Sequence, residues 1–315
     1  MRHRCAILDD YQNVALALAD WSGVAKRAEI TVFNDHLTNP DAVVERLKPF
    51  DVICVMRERT PLPRQIIERL PRLKLIASTG PRNASIDAAA ASERGIPVVH
   101  TGYRAAPTIE MTWALILASG RHLVRESNSV RAGGWQTSIG RELAGRTLGV
   151  VGLGNIGREV ARIALAFGMK VIAWSQNMTA ETAAAAGAGF VTKEELFRQA
   201  DIVTIHLVLS NRSRGLIGAA ELQLMKPTAR LINTSRGPIV DEQALIESLR
   251  ARTFAGAAID VFEIEPLPAD HPFRTLENVL ATPHIGYVGE DLYRIFYGDA
   301  ARTIATWLEE RAPSA

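Results

Sequence analysis

The chain has 315 residues, 47% of them apolar and 22% charged, with a formal net charge of +2. This composition excludes a disordered or fibrous chain and leaves enough material for two globular domains with substantial cores. Lys and Arg are interspersed with acids and no apolar run approaches membrane-spanning length, so neither nucleic-acid nor bilayer binding is expected.

Met1 to Asp10 reads as a short strand ending in two acids, with neither the long apolar core nor the small-residue cleavage site of a secretory signal. A cytoplasmic protein is expected. Cys5 and Cys54 fall in apolar strand-like segments without metal-ligand spacing, and read as buried free thiols. The first series of strand signals is Ala6–Leu8, Ile30–Phe33, Val52–Met56, Leu75–Ala77 and Val98–Val99. Helix-compatible stretches such as Asp41–Leu47 and Leu62–Leu70 separate them. Such alternation predicts a parallel sheet with helices on its faces.

Pro107–Val130 then reads as one long connecting helix, with Thr108 and Glu110 suited to its start. Trp113 and Leu115 within it suit core packing and an interface equally. Gly133, Gly134 and Trp135 break the pattern. A second strand series follows at Thr147–Val151, Val171–Trp174, Ile202–Leu207, Arg230–Asn233 and Ala257–Val261. The fold class is therefore α/β with two parallel sheets.

Between the first two strands of the second series stand Gly152, Gly154 and Gly157, a Gly-x-Gly-x-x-Gly run opening the helix-like segment Ile156–Phe167. The first glycine permits a tight turn, the second lets backbone approach a pyrophosphate, and the third allows helix to pack on strand. The helix start adds amide donors and partial positive charge, with Asn155 and Ile156 in its first turn. About 20 residues on, an acidic residue commonly reads the adenosine ribose. Here Ser175, Gln176 and Asn177 occupy that stretch, which contains no arginine either. The cofactor is thus NAD(H) or NADP(H), undecided.

Three later segments concentrate chemistry. Arg236, in Asn-Thr-Ser-Arg-Gly, stands just beyond an apolar strand, where a parallel sheet faces its ligand crevice; Asp241 is placed to cap the next helix. A guanidinium there forks two N–H groups onto a carboxylate or polarises a carbonyl. Glu263 and Glu265 follow the strand Ala257–Val261, and Pro266 biases Glu265 toward an extended or turn backbone. His284 lies in a loop between Pro283 and Gly286.

Taken together, Gly152–Gly157, Asn-Thr-Ser-Arg-Gly, Asp-Val-Phe…Glu-Pro and Thr-Pro-His-Ile-Gly resemble the D-isomer-specific 2-hydroxyacid dehydrogenases in order, separation and strand-end setting, over nearly the whole chain. The resemblance implies that Arg236, Glu265 and His284 are catalytic. His284 would protonate the carbonyl oxygen as hydride reaches the 2-carbon, or take the hydroxyl proton in oxidation; an imidazole pKa of about 6.5 suits both directions. Glu265, rather than Glu263, would orient the ring and favour imidazolium. Arg236 would bind the 2-oxo acid and stabilise charge developing on its oxygen.

The same resemblance implies a Rossmann dinucleotide-binding domain at 103–287, inserted in a discontinuous flavodoxin-like substrate domain at 1–102 and 288–315. It implies cofactor contacts from Gly152, Gly154, Asn155, Ile156, Gly157, Ser175 and Asp260, and substrate binding in a cleft that closes to exclude water. Backbone amides around Thr79 and Gly80 would hold the substrate carboxylate. Arg57 and Arg59 sit in a stretch resembling the corresponding loop of phosphoglycerate dehydrogenases, which admits a second acidic group on the substrate. A homodimer is implied, built on the nucleotide domain. Two departures from the family pattern bear on the pocket: Tyr287 and Val288 follow His284 where small residues are common, and Val208 replaces a common proline. Formate dehydrogenases are less similar, since they carry glutamine where Glu265 stands. The alternative reading is a dinucleotide-sensing binding protein resembling the C-terminal-binding-protein corepressors, which keep similar motifs.

Overall fold

The structure, a computed structural model, describes residues 2–311. Met1 and residues 312–315, which fall in the ranges expected for the discontinuous domain, lie outside the described residues. Two compact units divide the chain: residues up to Arg104 together with those from Gly289 onward, and Ala105–Val288.

In the first unit, β1 (His3–Ile7), β2 (Ala28–Val32), β3 (Val52–Val55), β4 (Leu75–Ser78) and β5 (Val98–His100) form a parallel sheet in the order β2-β1-β3-β4-β5. Every residue of β3 and β4 is buried, which is why their sequences read as unbroken apolar runs. Val43, Val44, Leu47, Ile66 and Ile67 pack over one side. The helix Glu290–Glu310 returns the chain to this unit, burying Leu292, Phe296, Tyr297, Ala300, Ile304 and Leu308 along one helical stripe. Strand order reverses between β1 and β3, so a ligand crevice is expected beyond the carboxyl ends of these two strands. Asp9 and Arg57 follow there.

The second unit is a seven-stranded parallel sheet, ordered β12-β11-β10-β9-β6-β7-β8. Its strands are β6 (Thr147–Val151), β7 (Lys170–Trp174), β8 (Gly189–Phe190), β9 (Ile202–Ile205), β10 (Arg230–Asn233), β11 (Gly256–Ile259) and β12 (Val279–Ala281). The order reverses between β6 and β9, and the glycine turn lies immediately beyond β6. Both sheets are thus doubly wound α/β folds, Rossmann-like in the second unit and flavodoxin-like in the first.

The expected single helix over Pro107–Val130 is instead two, Ala106–Gly120 and Leu123–Arg131. His122, at φ +54, takes the left-handed conformation between them, one residue beyond Arg121, which caps the first helix. Trp113 and Leu115 are core residues of this unit, and Trp113 stacks on Phe167 with ring centroids 4.9 Å apart. Asp241 caps the helix Glu242–Arg250 by accepting from Ala244 N at 3.0 Å. Cys5 and Cys54 are free and buried. Among the described residues no helix is long and apolar enough to cross a membrane.

Candidate active site

The three glycines of the turn after β6 are required for different reasons. Gly152 has φ +97, and a Cβ there would sit 2.5 Å from the His206 carbonyl oxygen. A Cβ at Gly157 would fall 2.1 Å from the Gly152 carbonyl oxygen, so the missing side chain lets the helix Asn155–Ala166 seat on the strand. At Gly154 a Cβ would meet no protein atom within 4 Å. Protein packing leaves that space open, which is the opening that close backbone approach by a pyrophosphate requires. The amides of Asn155, Ile156 and Gly157 belong to the first helical turn and have no intrahelical acceptor, which suits an anion. Ser175 lies just past β7, followed by exposed Gln176 and Asn177.

The loop beyond β10 is braced from within. Asn233 donates through Nδ2 to Arg236 O at 3.0 Å and accepts from Ser235 N at 3.0 Å, while Ser235 Oγ donates to Ile205 O at 2.8 Å. A Cβ at Gly237 would lie 2.1 Å from Phe262 C, so this glycine lets the Arg236 loop pack directly on the loop beyond β11. Arg236 itself has extended backbone, and its Nη1 donates to Ser235 O at 2.7 Å.

Glu265 accepts from Phe262 N at 2.9 Å through Oε1, and its Oε2 lies 2.5 Å from His284 Nδ1. Glu263, the competing carboxylate, pairs with Arg214 at 3.3 Å. With Nδ1 committed to Glu265, Nε2 is the ring nitrogen left for proton transfer. The two side chains are 24% and 34% exposed, dry enough to interact strongly and open enough to meet a substrate. Tyr287 stands edge-on to the His284 ring, centroids 5.3 Å apart at 83°, so the bulky residue expected nearby forms one wall of the histidine's setting.

His284 adopts φ +52, unusual for a residue with a side chain. Asp260 accounts for it. Its Oδ1 accepts from Thr282 Oγ1 at 2.6 Å and Ile285 N at 2.9 Å, and its Oδ2 accepts from Gly286 N at 2.6 Å. A Cβ at Gly286 would come within 2.9 Å of Asp260 Oδ2, so the glycine of Thr-Pro-His-Ile-Gly makes room for this carboxylate. Burial pushes the Asp260 carboxyl up, opposed by the Thr282 hydroxyl, the loop amides and the charge of His284. Asp260 is 0% exposed, and all three of these hydrogen bonds hold the His284 loop. A second histidine, His206, lies just beyond β9 with Nε2 2.9 Å from Thr204 Oγ1, and burial pulls its imidazole down to about 3. It is neutral near pH 7 and suited to structure rather than proton transfer.

In the first unit, the Thr79–Gly80 turn has already used its amides. Thr79 N donates to Val55 O at 3.1 Å and Gly80 N to Thr101 Oγ1 at 2.7 Å. Each N–H holds one proton, so in this arrangement the turn does not offer these two donors to a carboxylate. Over it lies Arg57, whose Nη1 donates to Thr79 O at 3.2 Å and Arg82 O at 3.3 Å. A Cβ at Gly80 would be 1.8 Å from Arg57 Nη1, so Gly80 makes space for the guanidinium. Arg59 is a strut: it donates through Nη1 to Asp9 O at 2.5 Å and through Nη2 to Tyr293 Oη at 3.2 Å, and lies over the Tyr11 ring at 4.4 Å. A buried cluster around Asp9, with His36 Nδ1 at 2.9 Å and Thr60 Oγ1 at 2.7 Å, had no signal in the sequence because its members are dispersed along the chain.

A glycine turn at a topological switch point, flanked by an acid-paired histidine and an arginine on braced strand-end loops, defines a dinucleotide-dependent oxidoreductase. The family described as D-isomer specific 2-hydroxyacid dehydrogenase, NAD binding domain, matches residues 113–286, and the chain belongs to this family. It is an NAD(P)-dependent D-2-hydroxyacid dehydrogenase. A glyoxylate reductase of Aeropyrum pernix is 43% identical over 229 residues, 70% of this chain and 68% of the relative. A hydroxypyruvate reductase of Thermotoga maritima is 36% identical over 291 residues, covering 90% and 92% respectively. Among solved structures, a phosphoglycerate oxidoreductase from Vibrio cholerae superimposes with a TM-score of 0.93 at 36% identity, covering 98% of this chain and 99% of the other.

Proposed function

We propose that the enzyme interconverts a small 2-oxo acid and its D-2-hydroxy acid, with His284 as general acid and base, Glu265 as its partner and Arg236 as the substrate-binding cation. Glyoxylate, hydroxypyruvate and phosphoglycerate-like acids form the substrate class. The observation that carries the reading is the 2.5 Å contact between Glu265 Oε2 and His284 Nδ1. The nicotinamide, when bound, supplies or takes up the hydride at the 2-carbon.

His284 delivers a proton from Nε2 to the carbonyl oxygen in reduction and removes it from the hydroxyl in oxidation. Glu265 holds the ring so that Nε2 points outward from the pair, and balances the charge of the protonated form. Arg236 receives the substrate carboxylate and stabilises negative charge growing on the adjacent oxygen. Arg57 serves as the acid-binding group of the first unit, with Thr79 and Gly80 shaping the turn beneath it. Gly152, Gly154, Asn155, Ile156 and Gly157 hold the pyrophosphate, and Ser175 meets the ribose.

The protein acts as a homodimer through the second unit. Supporting this, the nine-residue helix Leu123–Arg131 buries none of its residues within the chain. Leu123, Val124 and Val130 on it are exposed, as are Trp135 at 73% and Ile139 at 94%. A short helix gains little stability without a packed face, and a partner copy provides one. Free, buried Cys5 and Cys54 fit a reducing compartment, the cytoplasm.

The test offers glyoxylate, hydroxypyruvate and phosphohydroxypyruvate with each reduced dinucleotide and follows the nicotinamide absorbance. Turnover of at least one pair is expected. Silence from all three acids, in protein that binds dinucleotide, overturns the substrate class; dinucleotide-dependent capture of a protein partner without turnover replaces it with the sensor reading.

A further inference from the structure

The place where a doubly wound nucleotide domain sets its ribose reader holds no acid in this chain, only Ser175, Gln176 and Asn177. A cation reaches it from elsewhere. Arg212, in the loop that follows β9, donates through Nη2 to Asn177 Oδ1 at 3.2 Å, and its carbonyl oxygen accepts from Gln176 Nε2 at 3.5 Å. Ser213 fixes this loop: its buried hydroxyl accepts from Ser210 N at 2.8 Å and donates to Val208 O at 2.7 Å. The backbone that carries Arg212 is therefore set, while its side chain is exposed. Its near neighbour Arg214 is neutralised by Glu263 at 3.3 Å, whereas Arg212 has no carboxylate within ion-pair distance among the described residues.

We propose that Arg212 binds the 2′-phosphate of NADP(H), and that the enzyme takes the phosphorylated dinucleotide in preference to NAD(H). A guanidinium matches a phosphate with two parallel N–H donors. The Ser175 hydroxyl and the amides of Gln176 and Asn177 add neutral donors at the same strand end, and no negative charge there repels the phosphate. The Asn177 contact presets the arginine and is easily exchanged, because the amide can turn its NH₂ toward the same ligand. The proposal rests on dinucleotide binding at the glycine turn and is independent of which acid is the substrate.

Equilibrium titration of the intact protein with NADPH and NADH, read by calorimetry, tests it without turnover. Wild-type protein is expected to bind NADPH at least about tenfold more tightly than NADH. Arg212→Gln should weaken NADPH binding about 10- to 100-fold, the scale of a lost bidentate charge-assisted contact, and leave NADH within about twofold. The NADH titration also reports that the variant is folded. Asn177→Asp, which puts a carboxylate beside Arg212, should weaken NADPH and spare NADH. 2′,5′-ADP should bind the wild type more tightly than 5′-ADP and lose that advantage in Arg212→Gln. Equal or tighter NADH binding by the wild type overturns the proposal, as does an Arg212→Gln variant in which both dinucleotides weaken alike.

Discussion

His284 Nδ1 stands 2.5 Å from Glu265 Oε2, and the pairing assigns the two ends of one imidazole to different tasks. One nitrogen is anchored, and in the proposed reaction the other exchanges the proton. The glutamate is held in turn by Phe262 N at 2.9 Å, so the pair is referenced to the loop beyond β11. His284→Gln should lower kcat about 10²- to 10⁴-fold, the usual worth of positioned proton transfer, while dinucleotide binding is retained. Glu265→Gln keeps an acceptor but loses the charge, and should cost less, about 10- to 100-fold. Steady-state kinetics with separate dinucleotide titration distinguishes these effects from misfolding; unchanged kcat in Glu265→Gln would remove the glutamate from the scheme.

Asp260 accepts three hydrogen bonds from Thr282, Ile285 and Gly286. An asparagine there has one carbonyl oxygen and places an NH₂ against a backbone donor. Asp260→Asn should therefore destabilise the protein by about 1–3 kcal/mol, the cost of an orphaned buried donor. It should also lower kcat, because the left-handed backbone of His284 loses its brace. Urea unfolding and kinetics on the same sample check both. A variant as stable and as active as wild type would show that Asp260 does not position the loop.

Gly154 and Gly157 separate ligand space from packing space. Gly154→Ala meets no protein atom within 4 Å, so stability should change by less than about 0.5 kcal/mol. Dinucleotide affinity should nonetheless fall about tenfold or more, because the methyl group occupies the pyrophosphate approach. Gly157→Ala collides with the Gly152 carbonyl oxygen at 2.1 Å and should lower stability and affinity together. Thermal unfolding paired with calorimetric titration reads the contrast, which disappears if Gly154→Ala binds dinucleotide normally.

Burial pulls the His206 imidazole down to about 3, against about 6.5 in an unfolded chain. Between those values the unfolded state holds a proton that the folded state refuses, so folding stability falls as pH drops below about 6.5. The slope from this one group approaches about 1.4 kcal/mol per pH unit at most. His206→Gln should flatten the decline between pH 6.5 and pH 5. Urea unfolding at several pH values measures it, and parallel wild-type and variant slopes would assign the acid sensitivity elsewhere.

The sequence is most readable where burial is complete. β3, β4, β9 and β11 are buried at every position, so their composition alone marks them as strands of covered parallel sheets. Arg236, Glu265 and His284 are readable only together, because the motifs that carry them resemble one family in order and separation, whereas each alone also fits a surface or structural side chain. The two-residue β8 and three-residue β12 are too short to show a period. The interruption at His122 depends on one left-handed residue inside an otherwise helical pattern. Arg212 illustrates the deeper limit. It meets Asn177 across 35 positions of sequence, and only the order of strands around β6 makes them neighbours.

The helix Glu290–Glu310 belongs to the first unit but follows the whole of the second along the chain. During synthesis, the sheet β2-β1-β3-β4-β5 emerges early yet lacks the buried stripe of Tyr293, Tyr297, Ala301 and Ile304 until the intervening domain has left the ribosome. The nucleotide domain has all its strands contiguous and needs no later segment to close its core. The order of emergence is thus the reverse of the order of completion: the half translated first is the last to receive its final core segment.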